Sequence, residues 1–358
     1  MTYVGIQTLY FSSARYLVEL AHSNRLAWAI PSLEGTGIAW WRQASQGFYS
    51  CLEEERMTLP TRRRLAAVAA LASGCFFTSA AAQNIDFGKI EVQTVKVADG
   101  LYVLMGGAAQ GNIVVSTGSD GILLIDSMYA PMHQKIMDAL AKISSQPVRY
   151  LVNTHLHGDH TAGNEAMAKL GAVIISHENM RKRMAEQPNN AAPPAGLPVV
   201  TYTDSMTLHF NGEEIYIYHP APAHTDGDSI IYFRHANVMH VGDVPASLRY
   251  PNIGVNEGGT VDGMIAAARQ VMKIANADTK IIPGHLGPVV GFKEIQQQLE
   301  MFAAVRDRVS TAIRAGKTVE QVVASKPTAD FDQGRMGGAI TPDRFVTLVY
   351  TDLARKAK

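Results

Sequence analysis

The sequence predicts an α/β protein, an αββα sandwich of two packed β-sheets flanked by helices. Three observations predict it. Short strand signals come in clusters with helical stretches interspersed, and no break in composition divides the chain after residue 83. The two halves of that segment each run strands, helix, strand, helix, as a duplicated unit would.

The elements follow in order. Residues 91–97, 101–105, 112–116 and 121–125 are short, rich in β-branched side chains and punctuated by glycine turns, so they read as strands. A helical period covers 131–143, and the apolar run 150–153 is a strand. Residues 165–170 are helical, 172–176 a strand and 178–185 a helix. The stretch 188–198 is a Pro/Ala/Asn loop too short to link domains. Strand signals return at 199–202, 214–218, 229–233 and 237–240. A helix at 261–274, a strand at 280–282 and helices at 292–315 and 342–357 complete the chain.

Composition narrows the function classes. The 358 residues carry 32 basic and 32 acidic side chains, a formal net charge of zero. That balance argues against a nucleic-acid binder working through a basic field. No apolar run approaches the roughly 20 residues of a membrane-spanning helix, so no membrane span is expected. The expected partner is a small-molecule substrate.

The N-terminal part is a separate matter. Residues 57–82 read as an export signal beginning at Met57. Arg62, Arg63 and Arg64 supply the positive region, 65–77 an apolar stretch too short to span a bilayer, and Ala80-Ala81-Ala82 a small-residue cleavage site. Residues 1–56 hold all three tryptophans and precede that signal, so they read as a non-native upstream leader, with translation beginning at Met57. The expected location is periplasmic or secreted, and residues 83–358 are the expected catalytic domain. Both cysteines, Cys51 and Cys75, fall before the cleavage point. The remainder therefore has no disulfide, thiol nucleophile or thiolate ligand.

What stands out in that remainder is Thr154-His155-Leu156-His157-Gly158-Asp159-His160, directly after an apolar strand. Spacing of two at a strand end turns His155 and His157 to one side. Asp159 and His160 follow where the chain turns toward a helix. Burying four such polar groups without a use is costly, and neutral imidazole is the commonest metal ligand. Three further groups close apolar strands or adjoining loops: His224 in Pro222-Ala223-His224-Thr225-Asp226-Gly227-Asp228, Asp243 in His240-Val241-Gly242-Asp243, and His285 after Ile281-Ile282-Pro283-Gly284. Functional groups gather on loops at one edge of a strand scaffold.

This H-x-H-x-D-H segment, followed in order by His, Asp and His, resembles the metallo-β-lactamase superfamily over essentially all of residues 83–358. The resemblance implies that His155, His157 and His224 hold one metal ion. It implies that Asp159, His160 and His285 hold a second, with Asp243 bridging the two. Asp126 matches an acidic position of the family that supports the fold rather than binding metal. His177, His219 and His240 have no ligand counterpart and read as structural.

A donor set of nitrogen and oxygen without sulfur suits zinc, with iron or manganese as alternatives. Two divalent ions, offset by Asp159, Asp243 and hydroxide, leave roughly one positive charge to stabilise an oxyanion. The expected activity is thus a dinuclear zinc-dependent, β-lactamase-like hydrolase whose metal-bound hydroxide attacks an amide, lactam or related ester or lactone carbonyl. Asp159 is the expected catalytic residue, orienting the nucleophile and taking its proton.

Departures from family members matter here. The clinically familiar lactamases carry cysteine where Asp243 stands, often arginine where His160 stands, and a carboxylate-gripping lysine where Ala246 stands. Arg249, Asn252 and Asn256 are the candidates to replace that lysine. The flap 106–111 lacks a bulky apolar tip. A thioesterase of the glyoxalase II type and a mononuclear iron persulfide dioxygenase are the rival readings. Arg306, Arg308 and Arg314, which a glutathione site would use, read as surface charges.

Overall fold

A computed structural model describes residues 85–356 apart from 108–110, 187–190, 245–248, 288, 334 and 336–337. The upstream leader, the export signal, Ala246 and the centre of the 106–111 flap lie outside the described residues.

The first sheet contains β1 (Gln93–Ala98), β2 (Leu101–Met105), β3 (Ile113–Gly118), β4 (Gly121–Ile125), β5 (Val148–Val152), β6 (Val173–His177) and β7 (Val200–Tyr202), side by side in chain order. The strands β1 to β4 form an antiparallel meander, and β4 to β7 run parallel. The parallel crossovers carry α1 (His133–Ala141), the short turn α2 (Gly158–Thr161), α3 (Asn164–Lys169) and α4 (Glu178–Glu186). The second sheet contains β8 (Ser205–Phe210), β9 (Glu213–Tyr218), β10 (Ile230–Phe233), β11 (Val238–His240) and β12 (Lys280–Ile282). Its strands also neighbour in chain order; β11 and β12 are parallel and the rest antiparallel. The remaining helices are α5 (Val261–Ile274), α6 (Phe292–Arg314), α7 (Val319–Ala324) and α8 (Pro342–Lys356).

Side-chain alternation explains the layers. In β4 every residue is buried: Leu123 and Ile125 pack with Ile215, Ile217, Ile231 and Phe233 of the other sheet. Ile122 and Leu124 turn the opposite way, onto Ile136 and Leu140 of α1. The outer face of the second sheet is covered by Met264, Phe302 and Phe345 of α5, α6 and α8. Burying each such large apolar side chain contributes about 1.5–3 kcal/mol. The αββα order expected from the sequence is therefore the observed one.

Two elements were not expected. The strand β8 alternates exposed and half-buried residues, and joins β9 through Asn211 and Gly212, which have φ of +54° and +76°. That is the two-residue Asn-Gly hairpin turn, whose twist suits antiparallel strands. The helix α7 is rich in valine, a weak helix former. A capping box between Thr318 and Gln321 and burial of Val322 against α6 and α8 decide its conformation.

The C-terminal ends of β4 and β5 lie together, as do those of β11 and β12. Loops from such parallel strand ends are where α/β sheets gather ligands.

Candidate metal centre

The loop leaving β5 is fixed before it reaches the first histidine. Asp126, just past β4, accepts hydrogen bonds at 2.8 Å from the Thr154 backbone NH and at 2.6 Å from Thr154 Oγ1. Asn153 and Asn164 pair reciprocally, joining the strand end to α3. The turn α2 then begins after His157 and places Asp159 and His160 in its first and last parts. His224 is clamped by the start of α5. The Thr260 backbone NH donates to Ala223 O, Thr260 Oγ1 donates to Pro222 O, and Gly254 NH donates to His224 O. Gly284 NH donates to Gly242 O, which locks the Asp243 and His285 loops together. A Cβ on Gly284 would sit 2.1 Å from Asp243 Oδ1, so only glycine permits that approach.

All seven predicted side chains come together. Their ligand atoms form three overlapping groups, each within 4.8 Å: His155, His157 and His224; Asp159, His160 and His285; and His155, His160 and Asp243. His157 Nδ1 lies 3.0 Å from His224 Nε2, and His160 Nε2 lies 3.3 Å from His285 Nε2. Asp243 faces both triads, with Oδ2 3.8 Å from His224 Nε2 and 3.4 Å from His285 Nε2. Asp159 Oδ2 is 3.2 Å from His285 Nε2.

In four of the five histidines the nitrogen turned away from the centre has a protein partner. His155 Nδ1 meets Thr154 Oγ1, His157 Nε2 meets Glu257, His160 Nδ1 meets Asp126, and His224 Nδ1 meets the Asn252 carbonyl. Such outer contacts fix ring orientation for a metal. The inward atoms His155 Nε2 and Asp243 Oδ1 are buried without a hydrogen-bond partner. Buried polar atoms left in this way are costly, and converging lone pairs of nitrogen and oxygen suit a divalent cation. The residues present fit a metal centre.

The charges agree. Burial pushes His155 well below the ordinary imidazole range and His224 down to about 4, so both rings are neutral. Burial opposes ionisation of Asp243, but His285 and His160 outweigh it and hold the carboxyl well below its usual range. Against the cost of its own burial, His160 is raised to about 9 by Asp126 and Asp159.

The expected fold-supporting position of Asp126 is observed. Two supporting residues were missed. Glu257, at the end of the turn Val255–Glu257, accepts from His157 Nε2 at 2.8 Å across 100 positions of sequence. No local signal marks it. Asp228 accepts from the backbone NH groups of His224 and Thr225 and from Thr225 Oγ1, shaping the His224 turn. Its place in the run Asp226-Gly227-Asp228 beside His224 was the available hint.

The histidines read as structural lie outside the three groups among the described residues. His177 stacks on His219 at 3.8 Å, and His240 Nδ1 faces the Ile282 carbonyl. Of the substitutes for a carboxylate-gripping lysine, Asn252 turns its backbone carbonyl to His224 Nδ1, and Asn256 Oδ1 accepts from Arg355. Arg306, Arg308 and Arg314 are engaged by Asp262, Asp330 and Ser310, as surface charges would be.

The sequence model of the metallo-beta-lactamase superfamily matches residues 106–285, the segment that contains all seven side chains. The chain belongs to the metallo-β-lactamase superfamily. A solved metallo-beta-lactamase from Pontibacter korlensis shares 18% identity with a TM-score of 0.53, covering 60% of this chain and 99% of that one. At that identity the likeness shows the superfamily fold alone. The 2,4-dinitroanisole O-demethylase subunit alpha of Nocardioides sp. (strain JS1661) is 21% identical over 207 residues, 57% of this chain and 60% of that protein. The linear primary-alkylsulfatase of Pseudomonas sp. (strain ATCC 19151) is 22% identical over 263 residues, 60% of this chain and 48% of that protein. The chain thus spans about half to three-fifths of the length of these two relatives. The superfamily and its lactamase and sulfatase members support a hydrolytic enzyme. No helix among the described residues is long and apolar enough to cross a membrane.

Proposed function

We propose that residues 83–358 form an exported, dinuclear zinc-dependent hydrolase of β-lactamase type, acting on an amide, lactam or related ester or lactone carbonyl. The observation that carries it is the pair of nitrogen and oxygen triads facing one shared carboxylate, Asp243. His155, His157 and His224 would hold one ion, Asp159, His160 and His285 the other, and Asp243 would bridge. Two divalent ions bound by these residues would supply Lewis acidity toward a carbonyl and lower the pKa of water toward about 7.

The protein's own part is orientation and proton handling. Asp126, Glu257 and the Asn252 carbonyl hold three rings at fixed tautomers, so the centre needs little rearrangement. Asp159 is the group placed to orient water and receive its proton. Export rests on the 57–82 signal, and it favours lactams or lactones over cytosolic thioesters.

A hydrolysis panel on the purified protein tests this reading, using a penicillin, a carbapenem, an acyl-homoserine lactone and a glutathione thioester. Turnover of a lactam or lactone that a chelator abolishes is the expected result. Turnover of none of them, or oxygen uptake by protein holding a single iron, would reject it.

A further inference from the structure

The segment that steadies the first triad is itself held from outside. Residues 254–261 run from the turn Val255–Glu257 into the start of α5. They bring Glu257 to His157 and clamp the His224 loop through Gly254 NH and Thr260. The fit is close, since a Cβ on Gly259 would lie 2.2 Å from His224 O. A further strut joins the two, with Asp226 NH donating to Glu257 O at 3.0 Å. Any shift of this segment therefore moves the outer partner of one metal-holding ring and the backbone support of another.

The outer support is the last turn of α8, a helix beyond the residues that the superfamily model matches. Asp352 is 3% exposed, and its Oδ2 accepts from Val261 NH at 2.8 Å. That amide belongs to the open start of α5, where the helix dipole favours a carboxylate. Later in the same turn, Arg355 donates through Nη1 to Val255 O and through Nη2 to Asn256 Oδ1 at 3.3 Å. The two residues thus grip the chain on both sides of Glu257. Arg183 of α4 also reaches the turn, at 3.4 Å from Asn256 O, but its short bonds go to Asp226. Lys356 pairs with Asp262 at 2.9 Å, yet both are about half-exposed, where such pairs contribute little. Seating of α8 does not depend on this polar tip, because Phe345, Val346 and Val349 anchor the helix in the core.

We infer that Asp352 and Arg355 are positioning residues for the first metal ion, acting through residues 254–261 on Glu257 and His224. The inference rests on the metal-centre reading and adds to it. Loosening the tip frees Glu257 to part from His157 Nε2, and that ring then loses the contact that fixes its orientation. The triad of Asp159, His160 and His285 is supported elsewhere, by Asp126 and by the bond from Gly284 NH to Gly242 O. It should be spared.

The test isolates each triad by removing the other: His285→Ala leaves the first, and His224→Ala leaves the second. Cobalt(II) binding to each full-length protein is titrated against a competing chelator, with a thermal melt of every variant. Arg355→Ala should weaken the ion of the first triad about tenfold, the low end of the loss expected for an outer partner, and leave the second triad unchanged. Asp352→Ala should act in the same direction, and Asp352→Asn, which keeps an acceptor for Val261 NH, should recover most of the affinity. Added to Glu257→Gln, Arg355→Ala should weaken binding much less than it does alone, because both changes act on one contact. Arg355 is exposed at a helix end, so Arg355→Ala decides the matter even if Asp352→Ala folds poorly. An unchanged first triad, equal weakening of both triads, or full additivity with Glu257→Gln would overturn the inference while leaving the metal centre standing. A parent chain that takes up no cobalt rejects the metal-centre reading and this inference with it. The expected affinities in a protein that hydrolyses nothing would support the inference and reject only the hydrolase reading.

Discussion

Asp159→Asn is expected to lower kcat by about a hundredfold to ten-thousandfold, the usual yield of a positioned proton acceptor. The exchange is nearly isosteric, and Asp159 is partly exposed at the mouth of the centre, so folding should survive it. What is lost is charge and basicity. Asp159 keeps its carboxylate ionised although burial opposes this, because His160 and His285 are close by. An amide in its place can still accept a hydrogen bond but cannot take up a proton from water. The loss should therefore fall on kcat more than on KM. Metal content measured on the same sample separates lost proton transfer from a lost ion. Unchanged turnover with full metal content would contradict the role given to Asp159.

The second large effect is on stability. Asp126→Ala should cost about 3–5 kcal/mol, because it strands the partners of a fully buried carboxylate. Those partners are Thr154 NH, Thr154 Oγ1 and His160 Nδ1, with His240 Nε2 a further 3.9 Å neighbour. For a domain of this size the fall in Tm is roughly 6–20 °C. Part of the cost has another origin. Asp126 sits at φ +67°, a left-handed conformation that Asp and Asn tolerate far better than Ala. Asp126→Asn keeps that conformation and one acceptor for Thr154 NH, so it should retain more stability than Asp126→Ala. It should still loosen His160 and weaken metal retention. A thermal melt of the two variants checks the order, and an Asp126→Ala protein as stable as the parent would contradict it.

How much of this was legible beforehand depended on sequence distance. His155, His157, Asp159 and His160 announce themselves because six positions after a strand leave few ways to point four polar groups. Asp243 and His285 were readable because each follows an apolar strand, and the parallel strands β11 and β12 end on one edge. His224 was readable from the polar loop that follows the apolar strand β9. Glu257 was not readable, because its contact with the site is made by folding, with His157 far away in the chain. The layered fold came from alternation in strands such as β4, whose two faces meet different cores. The strand β8 was passed over because its exposed face dilutes the apolar signal, although the Asn211-Gly212 turn beside it was the clue. Helix α7 ran against propensity, and tertiary burial of Val322 prevailed.

Seven side chains from four loops are proposed to grip a pair of divalent ions. Elemental analysis of the purified protein, after exhaustive dialysis against metal-free buffer, tests this most directly. About two zinc ions per chain is the predicted content, falling on His224→Ala, which breaks the first triad. Protein that keeps no ion, or a content untouched by His224→Ala, would contradict the account.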